Sequence, residues 1–131
     1  MVHKSPSELE LQVLAVLWER GPSSVHAVRN AMPDGKNRAY TTVLSVMQNL
    51  EKKGLVGHEP LGQANIYRPL VKRHQVLRPL MKGLLSNLFG GSPAQAVQCL
   101  LDSTRVDDAE LAQIRKVIAD AAQKRSQGET R

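Results

Sequence analysis

Apolar side chains recur at helical spacing near the start of the chain. The first stripe has the spacing i, i+3, i+4, i+7 and comprises Leu11, Leu14, Ala15 and Trp18. It predicts a helix that buries Trp18 in the core and ends at Gly21-Pro22. The run Ser5-Pro6-Ser7-Glu8 precedes the stripe and predicts the helix start, with Ser5 as the cap, Pro6 at the first helical position and Glu8 as the capping-box acid.

Two more helices follow in the same pattern. A short one is predicted over residues 24–32, because a serine cap precedes apolar residues and Pro33-Asp34-Gly35 then favours a turn. The next is predicted over about residues 39–53, with Gly54 as its stop. Its inward stripe again has i, i+3, i+4, i+7 spacing and comprises Val43, Val46, Met47 and Leu50.

After Gly54 the pattern changes to that of short strands. Residues 55–58 and 65–69 are predicted strands, joined by a turn region at residues 60–63. Three helices followed by a hairpin is the order of a winged helix-turn-helix domain, which we assign to residues 1–71. The predicted fold class is therefore mainly α with a small antiparallel β-hairpin.

Beyond Leu70 the sequence becomes helical again. The fourth helix has a wide apolar face, ends at Phe89-Gly90-Gly91 and contains Pro79, which predicts a kink. Ser92-Pro93 opens a fifth helix, and residues 107–110 open a sixth. We assign residues 72–126 to a helical dimerisation domain and residues 127–131 to a frayed tail.

The leucines of this second region predict self-association. Three short amphipathic helices cannot bury so many apolar side chains within one chain, and twofold homodimers are the commonest oligomers. The alternative is that the region folds back on its own first domain. The residues assigned to dimerisation are Leu77, Leu80, Leu84, Leu88, Val97, Leu100, Leu101, Leu111, Ile114 and Ile118.

Charge and composition indicate which classes of partner the protein can bind. The chain has 18 Lys plus Arg against 12 Asp plus Glu, a net charge of +6 that favours a polyanionic partner such as double-stranded DNA. The single cysteine, Cys99, excludes an intrachain disulfide and a multi-cysteine metal site. Neither a membrane-length apolar run nor a signal peptide is present in the sequence, so a cytoplasmic protein without a membrane partner is expected.

Chemistry-bearing residues do not form a catalytic or metal-binding pattern. The sequence contains no nucleophile–base–acid constellation and no glycine-rich phosphate loop, so no enzyme is expected. The histidines lack ligand spacing, and we expect neither metal nor cofactor. They are His3, His26, His58 and His74.

The outward face of the third helix is the candidate DNA-reading surface. Its stripe comprises Thr41, Ser45, Gln48 and Lys52, with Thr42 and Asn49 beside it. Hydroxyl and amide side chains can donate and accept at base edges, and the lysine suits a phosphate. A solvated face has the same periodicity, but threonine and serine are poor helix formers unless their hydroxyls make contacts.

Residues around this stripe are assigned supporting roles. Arg38 and Lys52 are expected to position the helix on phosphates, as are Lys36 and Lys53. Tyr40 either contacts the DNA backbone or packs beneath the helix. From the predicted wing, Gln63 and Tyr67 complete the DNA-binding set.

Several segments in order resemble the penicillinase-repressor family of winged-helix regulators, the BlaI/MecI type. They are Ser7-Glu8-Leu9-Glu10-Leu11 with Leu17-Trp18, Ala39-Tyr40-Thr41-Thr42-Val43, Leu50-Glu51-Lys52-Lys53-Gly54-Leu55-Val56, Gly62-Gln63-Ala64-Asn65-Ile66-Tyr67-Arg68-Pro69 and Leu88-Phe89-Gly90-Gly91-Ser92-Pro93. The resemblance implies a homodimeric repressor that occludes a promoter and dimerises through its C-terminal helical region. A twofold dimer in turn predicts a palindromic operator. It also implies a membrane sensor protease that relieves repression.

Three positions depart from the family pattern. Asn49 stands where the family commonly has arginine, and Gln63 stands where its wing has a basic residue. Cys99-Leu100 replaces the Asn-Phe pair that the sensor protease cuts in the staphylococcal type, so release by that cleavage is not expected here.

Two other kinds of function fit the same elements. One is a winged helix that binds protein, and the other is a sensor that holds a small ligand between the C-terminal helices.

Overall fold

The computed structural model describes residues 6–129, apart from the side chains of Lys36 and Glu129. Helices dominate this part of the chain, and three short strands form one antiparallel sheet, so the predicted fold class is confirmed. The elements are α1 (Glu8–Arg20), β1 (Ser23–Ser24), α2 (Val25–Ala31), a 3₁₀ turn (Gly35–Asn37), α3 (Tyr40–Lys52), β2 (Val56–Leu61), β3 (Ala64–Pro69), α4 (Arg73–Leu88), α5 (Pro93–Ser103) and α6 (Asp108–Glu129).

Helix α1 begins with a capping box that lies two residues later than predicted. The Glu10 amide donates to Ser7 Oγ at 3.1 Å, and the Ser7 amide donates to Glu10 Oε1 at 2.8 Å. The roles assigned to Pro6 and Glu8 were therefore wrong, and Ser5 lies outside the described residues. Serines at 5 and 7 each precede a glutamate by three residues, so spacing alone did not distinguish the two registers.

The buried face of α1 is rotated from the predicted stripe. Val13, Leu14 and Leu17 are fully buried, whereas Ala15 is exposed. Trp18 is half-buried at the edge of the core, where its indole Nε1 donates to the Val71 carbonyl oxygen at 2.9 Å. It therefore anchors the segment that leads into α4.

The hydrophobic core comes from α1, α2, α3 and the sheet. The predicted inward stripe of α3 is confirmed, and so is the serine cap of α2, where the Ala27 amide donates to Ser24 Oγ at 3.1 Å. Among the residues that the structure describes, no buried core residue lies beyond Tyr67. The core comprises Val13, Leu14, Val16, Leu17, Val25, Val28, Met32, Val43, Val46, Met47, Leu50, Leu55, Val56 and Tyr67.

The sheet has the order β1-β3-β2, with both pairs antiparallel. The hairpin of β2 and β3 was predicted, but β2 continues through Pro60 and Leu61, which had been assigned to the turn. Pro60 is accommodated because β2 is an edge strand. The turn is the two-residue Gly62-Gln63, with Gly62 in the left-handed region at φ 62°.

The helices beyond the sheet begin as predicted. Ser92 Oγ accepts from the Gln95 amide at 3.2 Å, and Asp107 Oδ1 accepts from the Glu110 amide at 2.8 Å. Helix α6 runs to Glu129, and the frayed tail assigned to residues 127–131 remains a prediction. Pro79 lies inside α4, and its kink remains a prediction.

The chain divides into two compact units between Met81 and Lys82. No side chain of α4, α5 or the described part of α6 is buried. The predicted domain boundary after residue 71 remains a prediction. Within residues 6–129, no helix is both long enough and apolar enough to cross a bilayer.

A buried ion pair joins the start of α1 to the end of α3. Lys53 Nζ lies 2.7 Å from Glu10 Oε1, and the Glu10 side chain is only 7% exposed. Burial raises the pKa of Glu10, but the hydrogen bonds from Lys53 and Ser7 outweigh it and lower this pKa below its ordinary value. The sequence predicted a phosphate contact for Lys53. Its ammonium group instead pairs with Glu10 inside the fold.

This pair makes a pH-dependent contribution to stability. Because the pKa of Glu10 is lowered on folding, its contribution is present above the ordinary value of 4.5 and is lost as the pH falls through the lowered pKa. Glu10→Gln should lower the free energy of unfolding at neutral pH by about 1.5–3 kcal/mol.

Urea unfolding at a series of pH values measures this effect, with Glu8→Gln, an exposed acid of the same turn, as the control. The control should change stability by less than about 1 kcal/mol. An equal and pH-independent loss in both variants would show that the ion pair does not act as described.

Candidate nucleic-acid interface

The outward face of α3 brings the predicted reading residues together. All six are exposed, while the four apolar residues of the opposite face are buried. The exposed residues are Thr41, Thr42, Ser45, Gln48, Asn49 and Lys52. The face therefore offers hydroxyl, amide and ammonium groups on one rigid element.

The start of α3 is open to an outside acceptor. Ala39 is the N-cap and supplies no side-chain hydrogen bond to the first turn. The Thr42 and Val43 amides donate to the Ala39 carbonyl oxygen at 3.1 and 3.3 Å, whereas the Tyr40 and Thr41 amides have no acceptor among the described residues. First-turn amides of a helix commonly bind phosphate, because they point along the axis and carry partial positive charge.

Tyr40 is exposed rather than packed beneath the helix. Its side chain is 45% exposed, and its ring centroid lies 6.2 Å from that of His26 on α2. Tyr40 is therefore not packed beneath the helix, and the contact of its hydroxyl with a DNA backbone remains a prediction.

Arg38 is tied to a neighbouring carboxylate. Its Nη2 lies 2.8 Å from Asp34 Oδ2, its Nε donates to Asp34 Oδ1 at 3.0 Å, and its carbonyl oxygen accepts from the Arg29 guanidinium. This network fixes the loop that precedes α3. The predicted phosphate contact of Arg38 would compete with Asp34 and remains a prediction.

Glu51 and His58 form a feature that the sequence reasoning missed. His58 Nδ1 on β2 lies 2.8 Å from both carboxylate oxygens of Glu51 on α3. Glu51 also lines a shallow cleft of about 480 Å³ with Gln48 and Lys52. The i, i+3 spacing of Gln48 and Glu51 was the sequence signal that places Glu51 beside the predicted reading residues. A carboxylate there can accept a hydrogen bond from a cytosine amino group.

Tyr67 was wrongly assigned to the DNA-binding set. Its side chain is only 2% exposed, because it points from β3 into the core. The centroid of its ring lies 5.1 Å from that of the His58 ring. Burial, together with the nearby charge of Glu51, raises the pKa of Tyr67. With so little of its side chain exposed, Tyr67 contributes to the core of the first unit.

The wing carries little net charge. Arg68 follows Tyr67 on the outward face of β3, and its Nη1 lies 2.6 Å from Glu59 Oε1. Gln63 is exposed in the turn. Because the one arginine of the hairpin faces a glutamate, the wing has no excess positive charge for a phosphate backbone.

The residues assigned to dimerisation differ in exposure. Leu88, Leu100 and Ile118 are 71%, 58% and 56% exposed, and Leu84 and Val97 are also exposed. Partial burial describes the other five: Leu77, Leu80, Leu101, Leu111 and Ile114. Met81 and Val117 are further exposed apolar residues that the assignment omitted.

No cluster of three or more potential metal ligands occurs among the described residues. The one cysteine, Cys99, is exposed on α5, and its Sγ lies 3.7 Å from Ser103 Oγ.

Comparison with known proteins places these features in context. Residues 6–120 match the family model described as penicillinase repressor. The chain is 31% identical over 115 residues to the transcriptional regulator BlaI of Mycobacterium tuberculosis, covering 86% of this chain and 82% of that protein. It is 18% identical over 114 residues to the penicillinase repressor of Bacillus licheniformis, covering 87% and 89%.

Among solved structures, a MarR family protein from Bacillus stearothermophilus matches with a TM-score of 0.50 and 18% identity. The match covers 92% of this chain and 75% of that chain, and it shows the fold alone. With the helices and hairpin described above, the predicted winged-helix architecture is confirmed.

The burial of Tyr67 can be tested by stability. Tyr67→Ala should lower the free energy of unfolding by about 3–5 kcal/mol, because a large ring leaves the core. Gln63→Ala, in the exposed turn of the same hairpin, should change it by less than about 0.5 kcal/mol. Urea unfolding monitored by circular dichroism compares the two, and equal stability would contradict the placement of Tyr67.

Proposed function

Because this chain belongs to the penicillinase-repressor family, we propose that it is a transcriptional repressor that binds palindromic operator DNA as a homodimer. The observation that carries the proposal is the exposed hydroxyl and amide face of α3, held outward by four buried residues. A helix of this size fits the major groove of B-DNA, where base edges present a distinct pattern for each base pair.

Reading and positioning are assigned to different residues of α3. Thr41, Thr42, Ser45 and Gln48 contact base edges, and Asn49 lies beside them as a further polar contact. Lys52 contacts phosphate, since it is an exposed cation at the end of the same face. Tyr40 and the open first turn of α3 contact the backbone at the other end.

The wing supports binding by hydrogen bonds more than by charge. Gln63 lies in an exposed two-residue turn, and the arginine of the hairpin is paired with Glu59. Fewer cations at phosphates release fewer counterions, so the salt dependence of binding should be shallow for a protein with a net charge of +6.

Dimerisation is proposed through the apolar faces of α4, α5 and α6. Leu88, Leu100 and Ile118 are largely exposed in the single chain, and none of the described residues beyond Tyr67 is fully buried. A second copy covers such faces, and twofold symmetry gives two α3 helices for two half-sites.

Release of the operator by cleavage at Cys99-Leu100 is not part of the proposal. Both residues lie inside α5, whereas proteolytic nicking concentrates at exposed loop tips. The changed residue pair and the helical backbone therefore point to a different inducing event.

The reading role of α3 predicts a loss of sequence discrimination. Ser45→Ala and Gln48→Ala should each reduce the preference for the operator over a scrambled duplex by about 1–3 kcal/mol, because each removes a base contact. The operator is first selected from a random duplex pool, and binding is then titrated by fluorescence anisotropy.

Gln113→Ala on α6 is the matched control, since it removes an exposed amide outside α3. It should leave discrimination unchanged. Unaltered discrimination in both α3 variants would remove the base-reading role from this helix.

The apolar faces predict a change in oligomeric state. Leu100→Asp with Ile118→Asp should weaken the dimer by more than about 2 kcal/mol, because two exposed apolar anchors become charged. Sedimentation velocity measures the oligomeric state, and Gln113→Asp with Gln123→Asp, at two exposed positions of α6, controls for the two added charges. A monomeric unsubstituted chain, or an unaltered dimer in the double variant, would contradict the assignment.

A further inference from the structure

A cleft in the first unit is separate from the proposed DNA-reading face. It has a volume of about 670 Å³ and lies between the end of α1, the end of β3 and the segment that enters α4. No residue of α3 lines it. A ligand in this cleft would therefore not cover the residues assigned to DNA.

The cleft has an apolar floor. Leu17 at its base is fully buried, Trp18 is half-buried, and Leu70 is 53% exposed at its edge. The indole Nε1 of Trp18 already donates to the Val71 carbonyl oxygen at 2.9 Å. The indole group of Trp18 thus offers apolar and aromatic surface to a ligand, not a hydrogen-bond donor.

The polar groups of the cleft are all cationic side chains or backbone. Arg68, Lys72 and Arg73 line it, and no aspartate or glutamate does. Arg68 is paired with Glu59, but in the described part of the chain neither Lys72 nor Arg73 forms an ion pair with a carboxylate. The Arg73 guanidinium lies 5.8 Å from the Trp18 ring centroid, over the same floor.

We propose that this cleft is a binding site for a small anion with an apolar, ring-sized body, its charged group on Lys72 and Arg73 and its body against Trp18 and Leu70. The cleft is open to solvent rather than enclosed, and its volume lies within the range of about 300–1,000 Å³ that is common for small-molecule sites. Stacking over the Trp18 ring holds the Arg73 guanidinium and leaves its in-plane donors available to a carboxylate or phosphate.

The proposed ligand is an anionic group joined to an apolar group. The anionic group is either a carboxylate or a phosphate ester. Both headgroups accept charge-assisted hydrogen bonds from arginine and lysine. A neutral molecule of the same shape would fill the cleft without engaging the two cations. Charge is therefore the property by which the site should select its ligand.

Trp18 makes the site measurable in the full chain, because it is the sole tryptophan. Phenylacetate and phenyl phosphate are titrated while the fluorescence of Trp18 is recorded, with phenylacetamide as the neutral analogue. At least one anion should give a saturable change and bind about tenfold more tightly than the amide. The stronger of the two anions identifies the preferred headgroup.

Lys72→Gln and Arg73→Gln should each weaken anion binding by about tenfold and leave the binding of phenylacetamide unchanged. Both residues are exposed, so the variants should keep the fold, which a thermal melt verifies. Lys82→Gln, an exposed lysine outside the cleft, is the charge-matched control and should bind like the unsubstituted chain.

Three results would overturn the proposal: no saturable fluorescence change with either anion, equal affinity for the anions and the amide, or equal anion binding by all three variants. None of these measurements involves DNA. A failure here therefore leaves the proposed repressor function untouched, and a failure of DNA binding leaves the ligand site standing.

Discussion

Burial of the inward face of α3 determines which residues of this helix face solvent. Val43, Val46, Met47 and Leu50 pack into the core with α1 and α2, and a helix with one side fixed has its other side fixed as well. The Glu10–Lys53 ion pair joins the end of α3 to the start of α1 and resists sliding of one helix along the other. The hydroxyl and amide groups are thereby presented on a rigid element, which is the requirement for reading base edges.

The two parts of the chain differ in how much of their apolar surface they bury. The first part has a closed core with strands against it, so its exposed face is free for function. The helices beyond it leave leucine, valine and isoleucine side chains exposed on each element. Apolar area of this kind favours association, and the proposed dimer follows from it together with the family.

Periodicity in the sequence was sufficient for the large elements and insufficient for contacts across the fold. The inward stripe of α3 and the hairpin were predicted because a spacing of 3.6 or 2 residues is a local property. Strand β1 was missed because two residues carry no period. Tyr67 was wrongly assigned to the surface because the sequence of β3 does not show which of the strand's two faces meets the core.

Long-range partners were the remaining part that the sequence did not reveal. Glu10 and Lys53 are separated by 43 positions, and Lys53 read alone is simply a basic residue near a candidate DNA contact. The cleft beside Trp18 likewise combines α1, the end of β3 and the residues before α4. Such groupings arise only when the chain folds, whereas the polar face of α3 was visible from its spacing alone.

Hydroxyl-radical footprinting of the full chain on duplexes selected from a random pool would show where the protein contacts DNA and whether it selects a sequence. If α3 reads bases from a twofold dimer, the selected sequences should share a palindrome. The protected sugars should then fall in two half-sites about one helical turn apart, or a multiple of it. A pool without a shared sequence, or uniform protection along the duplex, would contradict sequence-specific reading by α3.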